Sequence, residues 1–397
     1  MTVYLLDKRK YSDLDAEFQN ALKLAYERKE RPGCLCRPQQ PPEMYIALYD
    51  GNYIIKRMPE TGQSHHPSCE HFEAPPGLSG RGELIGKAIK EDTETGRRSF
   101  SFAFSLSKTG NRVSPSESGE PSDTVKTDGT KLTLKSFFDA LWHDAGFHHW
   151  SPAREGKRKW KQIHKFICER ASETDAARKD LSEYLFIPEP YSKDRQSEIN
   201  TRRITFMNSL LPKKKGPRKL GIILAEVNQI EKARFGHKMT IRQSNQVFMV
   251  NDDLWKRLEK RFEKELSLSL LNDKGHLMVM GTFSYNEHGI ATVEEAALQF
   301  VNENWLPVED QYEMQLIEGL VRSGRRFEKG LRYNLSKSKP VATATLQDTA
   351  ATTALFIVPP GAAAEYGTAI ETLSSENGYE AWIWDVAAGE IPEFPEK

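Results

Sequence analysis

Three of the four cysteines in this 397-residue chain crowd into one short N-terminal stretch. Cys34 and Cys36 stand in Gly-Cys-Leu-Cys-Arg, and Cys69 ends His-His-Pro-Ser-Cys, which also supplies His65 and His66. Thiols gathered with imidazoles at such spacing suit a metal ion, and a shared ion forces the chain between them to double back. The intervening residues read as a hairpin: Met44 to Leu48, the turn Tyr49-Asp50-Gly51, then Asn52 to Arg57. A hairpin there returns the two ligand pairs to each other, which is the plan of a small zinc ribbon.

Zinc takes four soft or borderline ligands in a tetrahedron, and the three thiolates leave one position open. Three histidines compete for it. His66 and His65 stand three and four residues before Cys69, and Cys69-Glu70-His71 is the second half of a Cys-x-Cys, Cys-x-His finger. The halves of such a finger lie unusually far apart here, and Pro67 stiffens the turn that presents a histidine beside the thiolate. The His65, His66 and Cys69 group is therefore favoured, with Cys34 and Cys36 completing a structural zinc site. Four protein ligands leave no open position for substrate.

A reducing compartment favours metal over disulfide for these thiols. The N-terminus, Thr2 to Lys8, lacks the apolar segment and cleavage site of a signal peptide, and no run approaches the roughly 18 to 20 apolar residues of a membrane span. The expected location is cytoplasmic, without a membrane partner. Cys168, alone in a helix-like segment, reads as a small buried hydrophobe. Lys and Arg (56) balance Asp and Glu (56), so any affinity for phosphate must come from local clusters. Arg154 to Lys165, Lys213 to Lys219 and Arg322 to Lys339 are such clusters.

Along the chain, Asp13 to Glu30 reads as an amphipathic helix, and Arg97 to Leu106 alternates as a half-buried strand. Ser107 to Asp128, rich in Ser, Gly, Pro and Asp, reads as a linker. Two helices follow, Thr133 to Phe147 and the basic Lys157 to Ala171, a pattern compatible with a helix-turn-helix as well as with an ordinary helical hairpin. His143, His148 and His149 beside Asp144 read as capping or packing groups, since no cysteine or spaced carboxylate pair completes a second site locally.

From Lys213 onward the pattern is α/β. Strands are expected at Leu220 to Val227, Met239 to Arg242, Val247 to Val250 and His276 to Tyr285, with helices at Asp252 to Ser267 and Thr292 to Asn302. No dinucleotide or P-loop fingerprint is present, so no nucleotide cofactor is expected. The last ninety residues read as α-β-β-β-α-β, an order that resembles the restriction-endonuclease-like fold. Glu313 and Asp348 fall near two of its acidic positions, but Leu355 to Pro359 stands where the fold places Glu-x-Lys. Without that ligand and base, hydrolysis is not expected. Trp382 and Trp384 share one face of the last strand and read as core.

The Gly-Cys-Leu-Cys-Arg-Pro start, the Arg57 to Gly62 turn leading to His-His-Pro-Ser-Cys, and Arg325 to Tyr333 together resemble the bacterial family catalogued as domain of unknown function 1173. The resemblance covers nearly the whole chain. It implies an association with plasmids and integrative elements and brings no established activity.

The resulting expectation is an α+β chain. It has an N-terminal helix and zinc-ribbon-like module (1–85), a strand and linker (86–128), a helical middle section (129–215) and a C-terminal α/β domain resembling a restriction-endonuclease-like fold (216–397). The leading function is nucleic-acid binding, with DNA as partner, in an accessory protein of a mobile element. Lys159, Lys161, Arg325, Arg326, Lys329 and Arg332 are the expected phosphate contacts. A metal-dependent nuclease and a scaffold for protein partners are the alternatives.

Overall fold

Asp7 and Lys8 both take positive φ, the geometry of a tight two-residue hairpin turn, and fold β1 (Val3–Leu6) onto β2 (Arg9–Ser12). The computed structural model describes residues 2–49, 51–92, 97–108, 129–176, 179–213 and 216–397; most of the expected linker, 109–128, lies outside them. α1 (Phe18–Glu27) buries Phe18, Leu22 and Ala25. β3 (Gly33–Cys34) pairs with β1, setting Cys34 opposite Tyr4. The expected hairpin is present as β4 (Met44–Tyr49) and β5 (Asn52–Arg57), in register from Met44↔Arg57 to Tyr49↔Asn52. Tyr4, Leu6, Phe18, Leu22, Met44 and Ile46 give this module a core of its own.

α2 (Leu134–Asp144) begins at Thr133, whose Oγ1 accepts the Ser136 N–H at 3.2 Å. Phe137, Phe138, Leu141 and Trp142 are buried around it, and the Trp142 indole N–H donates to the Trp305 carbonyl at 3.0 Å. β6 (His149–Trp150) follows and enters a different sheet before α3 (Trp160–Ser172) starts. A strand interposed in this way replaces the short turn a helix-turn-helix requires, so that expectation is corrected. α4 (Gln196–Ser209) closes the section.

The centre of the molecule is a closed barrel. β7 (Gly221–Lys232) is long enough to change partners. It runs on to β8 (His237–Ile241), β9 (Val247–Val250), α5 (Asp252–Arg261), α6 (Glu263–Leu271), β10 (His276–Tyr285) and β11 (Ala291–Val301). The first half of β7 pairs with β10, from Gly221↔Phe283 to Glu226↔Met278. Beyond a bulge at Val227/Gln229 it pairs with β8. β8 pairs antiparallel with β9, β9 parallel with β11, and β11 antiparallel with β10, so the order β7-β8-β9-β11-β10 returns to β7.

Thr292 to Asn302, expected as a helix, is therefore strand. Its Glu294, Glu295, Ala296 and Ala297 favour a helix locally, but the ladder to β10 runs from His276↔Val301 to Tyr285↔Ala291 and overrides them. One buried core runs from Leu84 through α2 and the barrel to Tyr333. The helical section at 129–215 thus shares its packing with the α/β section.

The C-terminal region has the expected order: α7 (Gln311–Arg322), β12 (Phe327–Lys329), β13 (Ala344–Leu346), β14 (Thr353–Val358), α8 (Glu365–Glu376) and β15 (Glu380–Asp385). The sheet runs β15-β14-β13-β12-β6, parallel only at β14–β15. Trp384 is buried in its core with Leu316, Phe327 and Leu355, while Trp382 packs half-buried beside it. No helix among the described residues is long and apolar enough to cross a membrane.

Candidate metal centre

Cys34 ends β3, Cys36 follows two residues on, and His65 and Cys69 lie past β5 on the returning chain. The hairpin brings them together: one ligand atom from each of Cys34, Cys36, His65 and Cys69 lies within 4.8 Å of the others. Cys34 Sγ is 3.7 Å from Cys69 Sγ, and His65 Nδ1 is 3.5 Å from Cys36 Sγ and 3.8 Å from Cys69 Sγ. A tetrahedral ion with metal–sulfur bonds of about 2.3 Å and metal–nitrogen bonds of about 2.0 Å separates its ligands by roughly 3.5 to 3.8 Å. The four residues present fit such an ion.

Their surroundings act unequally on the three thiols. The His66 N–H points at Cys36 Sγ and the His71 N–H at Cys69 Sγ, both at 3.4 Å. The Cys34 contact, His65 and that backbone N–H pull the Cys69 thiol well down, while the same Cys69 contact and burial push Cys34 up. Burial pushes Cys36 up as well, so of the three Cys69 alone is favoured as a thiolate by its protein neighbours.

The competition among histidines is decided by position. His65 is fully buried at the sulfurs. His66 is exposed and its Nδ1 faces Ser68 Oγ at 2.7 Å; His71 Nε2 faces the Tyr4 hydroxyl at 2.7 Å. Neither joins the cluster, so the inclusion of His66 among the ligands is corrected.

The expected phosphate contacts divide. Lys159 and Lys161 are exposed around the start of α3, and Arg326 is half-buried. Arg325 and Lys329 are each 3% exposed and paired, Arg325 with Asp348 and Lys329 with Glu313. Arg332 bonds Glu309 at 2.9 Å. These three are engaged inside the fold, because a carboxylate waits for each one; as phosphate contacts they are corrected. Glu313 and Asp348 hold different cations and do not meet in either metal-type cluster found among the described residues. Cys168 is half-buried on α3, and burial raises its thiol to about 12, which keeps it unreactive.

A second cluster was hidden from sequence. Glu73, His143, His148 and Glu328 also bring one ligand atom each within 4.8 Å of one another. Glu73 follows Cys69 by four residues, and Glu328 sits on β12. Arg57 and Arg81 grip Glu73, as does His143. Burial and the neighbouring histidines hold His148 neutral, and burial beside Glu73 raises Glu328 to about 7. The reading of these histidines as packing groups overlooked two carboxylates that arrive from opposite ends of the chain.

Fold and site together define a mixed α+β protein with a five-stranded barrel and a Cys₃His cluster suited to a metal ion. Residues 4–387 match the family described as "Protein of unknown function (DUF1173)", and the chain belongs to that family. No curated protein and no solved structure matches it.

Proposed function

We propose that this chain is a zinc-containing, non-catalytic protein that binds single-stranded nucleic acid on its barrel, with Cys34, Cys36, His65 and Cys69 holding a structural zinc. The donor set of three thiolates and one imidazole favours zinc over harder cations. The nuclease-like reading of the C-terminal sheet is supported by its element order alone, and its acidic residues are held by Arg325 and Lys329. The sequence resemblance supports a setting on a plasmid or integrative element.

The observation that carries the nucleic-acid reading is the order β7-β8-β9-β11-β10, with β9 and β11 parallel and α5–α6 between the third and fourth strands. That is the topology of the OB-fold barrel, whose second and third strands and flanking loops bind oligonucleotides and oligosaccharides. Topology alone does not assign a ligand; the residues on that face must. Lys238 and Thr240 pair across to Met249 and Val247 and are the less buried residues of each strand. At one end the β7–β8 turn lifts Phe235, 78% exposed, with the Arg234 guanidinium 5.3 Å from its ring. At the other, Arg242 is exposed with its Nε 2.8 Å from Glu226 Oε1, and beside it a groove of about 750 Å³ has Tyr191 and Arg203 on its walls. Aromatic faces for unstacked bases among cations for phosphates are what a single strand requires, and they suit a neutral sugar less well.

Fluorescence anisotropy of a labelled single-stranded DNA against a salt series tests the reading. Binding at low salt that weakens at least about tenfold between 50 and 200 mM is expected. Absence of binding at low salt, or binding indifferent to salt, overturns it. The protein-scaffold alternative is favoured by one feature: Leu270 and Leu271, 84% and 77% exposed, stand side by side at the end of α6.

A further inference from the structure

We infer that Glu73, His143, His148 and Glu328 form a second metal site, for a divalent transition ion bound by nitrogen and oxygen and separate from the thiolate centre. Geometry supplies the first ground. The four ligand atoms converge within 4.8 Å although the residues come from the segment after Cys69, the end of α2, the approach to β6, and β12. His148 Nε2 stands 3.7 Å from Glu328 Oε1, and His143 Nε2 lies against Glu73 Oε1. One cation shared by the four takes the place of the proton between His143 and Glu73, and it joins His148 to Glu328, which stand too far apart for a hydrogen bond.

The second ground is an unmet need. His148 is 1% exposed, yet neither of its ring nitrogens has a hydrogen-bond partner. Leaving a buried polar group unpaired is costly, and folds rarely carry that cost without a use. A buried ion-pair network tying the N-terminal module to the body accounts for Arg57, Glu73 and Arg81. It leaves His148 unexplained, whereas coordination gives one of its two nitrogens a partner.

Both carboxylates are already oriented from outside, as metal ligands are. Arg81 Nη1 holds Glu73 Oε1 at 3.0 Å, and the Ala74 N–H donates to Glu328 Oε2 at 2.9 Å. Asp144 Oδ1 lies 3.6 Å from His143 Nδ1. The donor set selects the ion. Two imidazoles with two carboxylates suit manganese, iron, cobalt or zinc, while calcium and magnesium prefer all-oxygen sites of higher negative charge. The two guanidiniums on Glu73 reduce that charge further. Arg57, Arg81 and Asp144, which neighbour the cluster, also line an open groove of about 780 Å³.

Cobalt loading of the full-length apoprotein, read by elemental analysis and absorption, tests the assignment. Two equivalents per chain are expected, one giving thiolate-to-cobalt charge-transfer bands. In His148→Ala and, as the isosteric control, Glu328→Gln, the expected stoichiometry is one equivalent with those bands intact. The bands report that the N-terminal module is folded, and circular dichroism reports the rest. A wild-type chain that takes only one equivalent of cobalt, manganese, iron or zinc overturns the inference. So does a folded Glu328→Gln protein that keeps both. Neither outcome depends on whether nucleic acid binds.

Discussion

Arg325 locks Asp348 in place: its Nε and Nη2 lie 3.1 and 2.9 Å from Oδ1, and the neighbouring Arg326 N–H donates to Oδ2 at 2.8 Å. An aspartate held by three donors in a buried ion pair is a structural brace rather than a free metal ligand. Asp348→Ala strands a guanidinium that is 3% exposed, and removing one partner of a buried pair costs about 3 to 5 kcal/mol. Chemical denaturation should register that loss. Magnesium-dependent DNA cleavage that vanishes in this variant would instead restore the nuclease reading.

The position of His65 at the sulfurs separates three variants. Cys34→Ser and His65→Ala are expected to lose the thiolate-bound zinc and loosen the N-terminal module, while His66→Ala keeps both. Elemental analysis after dialysis against a weak chelator checks this. Zinc lost from His66→Ala and kept by His65→Ala would reverse the assignment.

Glu265 makes stability depend on pH. Burial lifts its carboxyl from 4.5 to about 7, with Glu309 raising it further and Lys135 and Lys337 opposing. Between those values the folded chain holds a proton that the unfolded chain has released, so this group's contribution falls as pH rises from about 5 to 8. The loss is on the order of 2 kcal/mol, and Glu265→Gln should remove that slope. Equal slopes in denaturant titrations of both proteins at pH 5.5 and 8 would contradict it.

Gly80 joins the N-terminal third to the C-terminal region. Its N–H donates to the Leu331 carbonyl at 2.9 Å, and a Cβ there would run into the Arg332 carbonyl. Gly80→Ala must push these backbones apart, and a loss of about 2 kcal/mol or more is expected in thermal unfolding. An unchanged melting temperature would show that this junction yields freely.

The sequence disclosed what is local. Cys34, Cys36 and Cys69 with a hairpin between them were legible because ligand spacing and turn chemistry are short-range signals, and only the choice among three histidines needed coordinates. The α-β-β-β-α-β order at the C-terminus was legible from the same kind of pattern. The barrel was not, because its closure joins β7 to β10 and its fifth strand carries helix-favouring Glu and Ala. Arg325 and Lys329 looked like surface cations because Asp348 and Glu313, which bury them, lie 23 and 16 residues away. Glu73 and Glu328 stand 255 positions apart, and no periodicity in the chain announces that both meet His143 and His148.

The proposed nucleic-acid binding is centred on the β8–β9 face of the barrel. Its most direct test compares single-stranded DNA affinity of the wild-type chain with that of a Phe235→Ala, Lys238→Glu double variant. Phe235 is 78% exposed and Lys238 lies outward, so the fold and its zinc should be untouched. Loss of one stacked base and reversal of one phosphate-facing charge predict affinity at least about tenfold weaker at low salt. A double variant that unfolds like the wild type and binds as tightly would contradict the assignment.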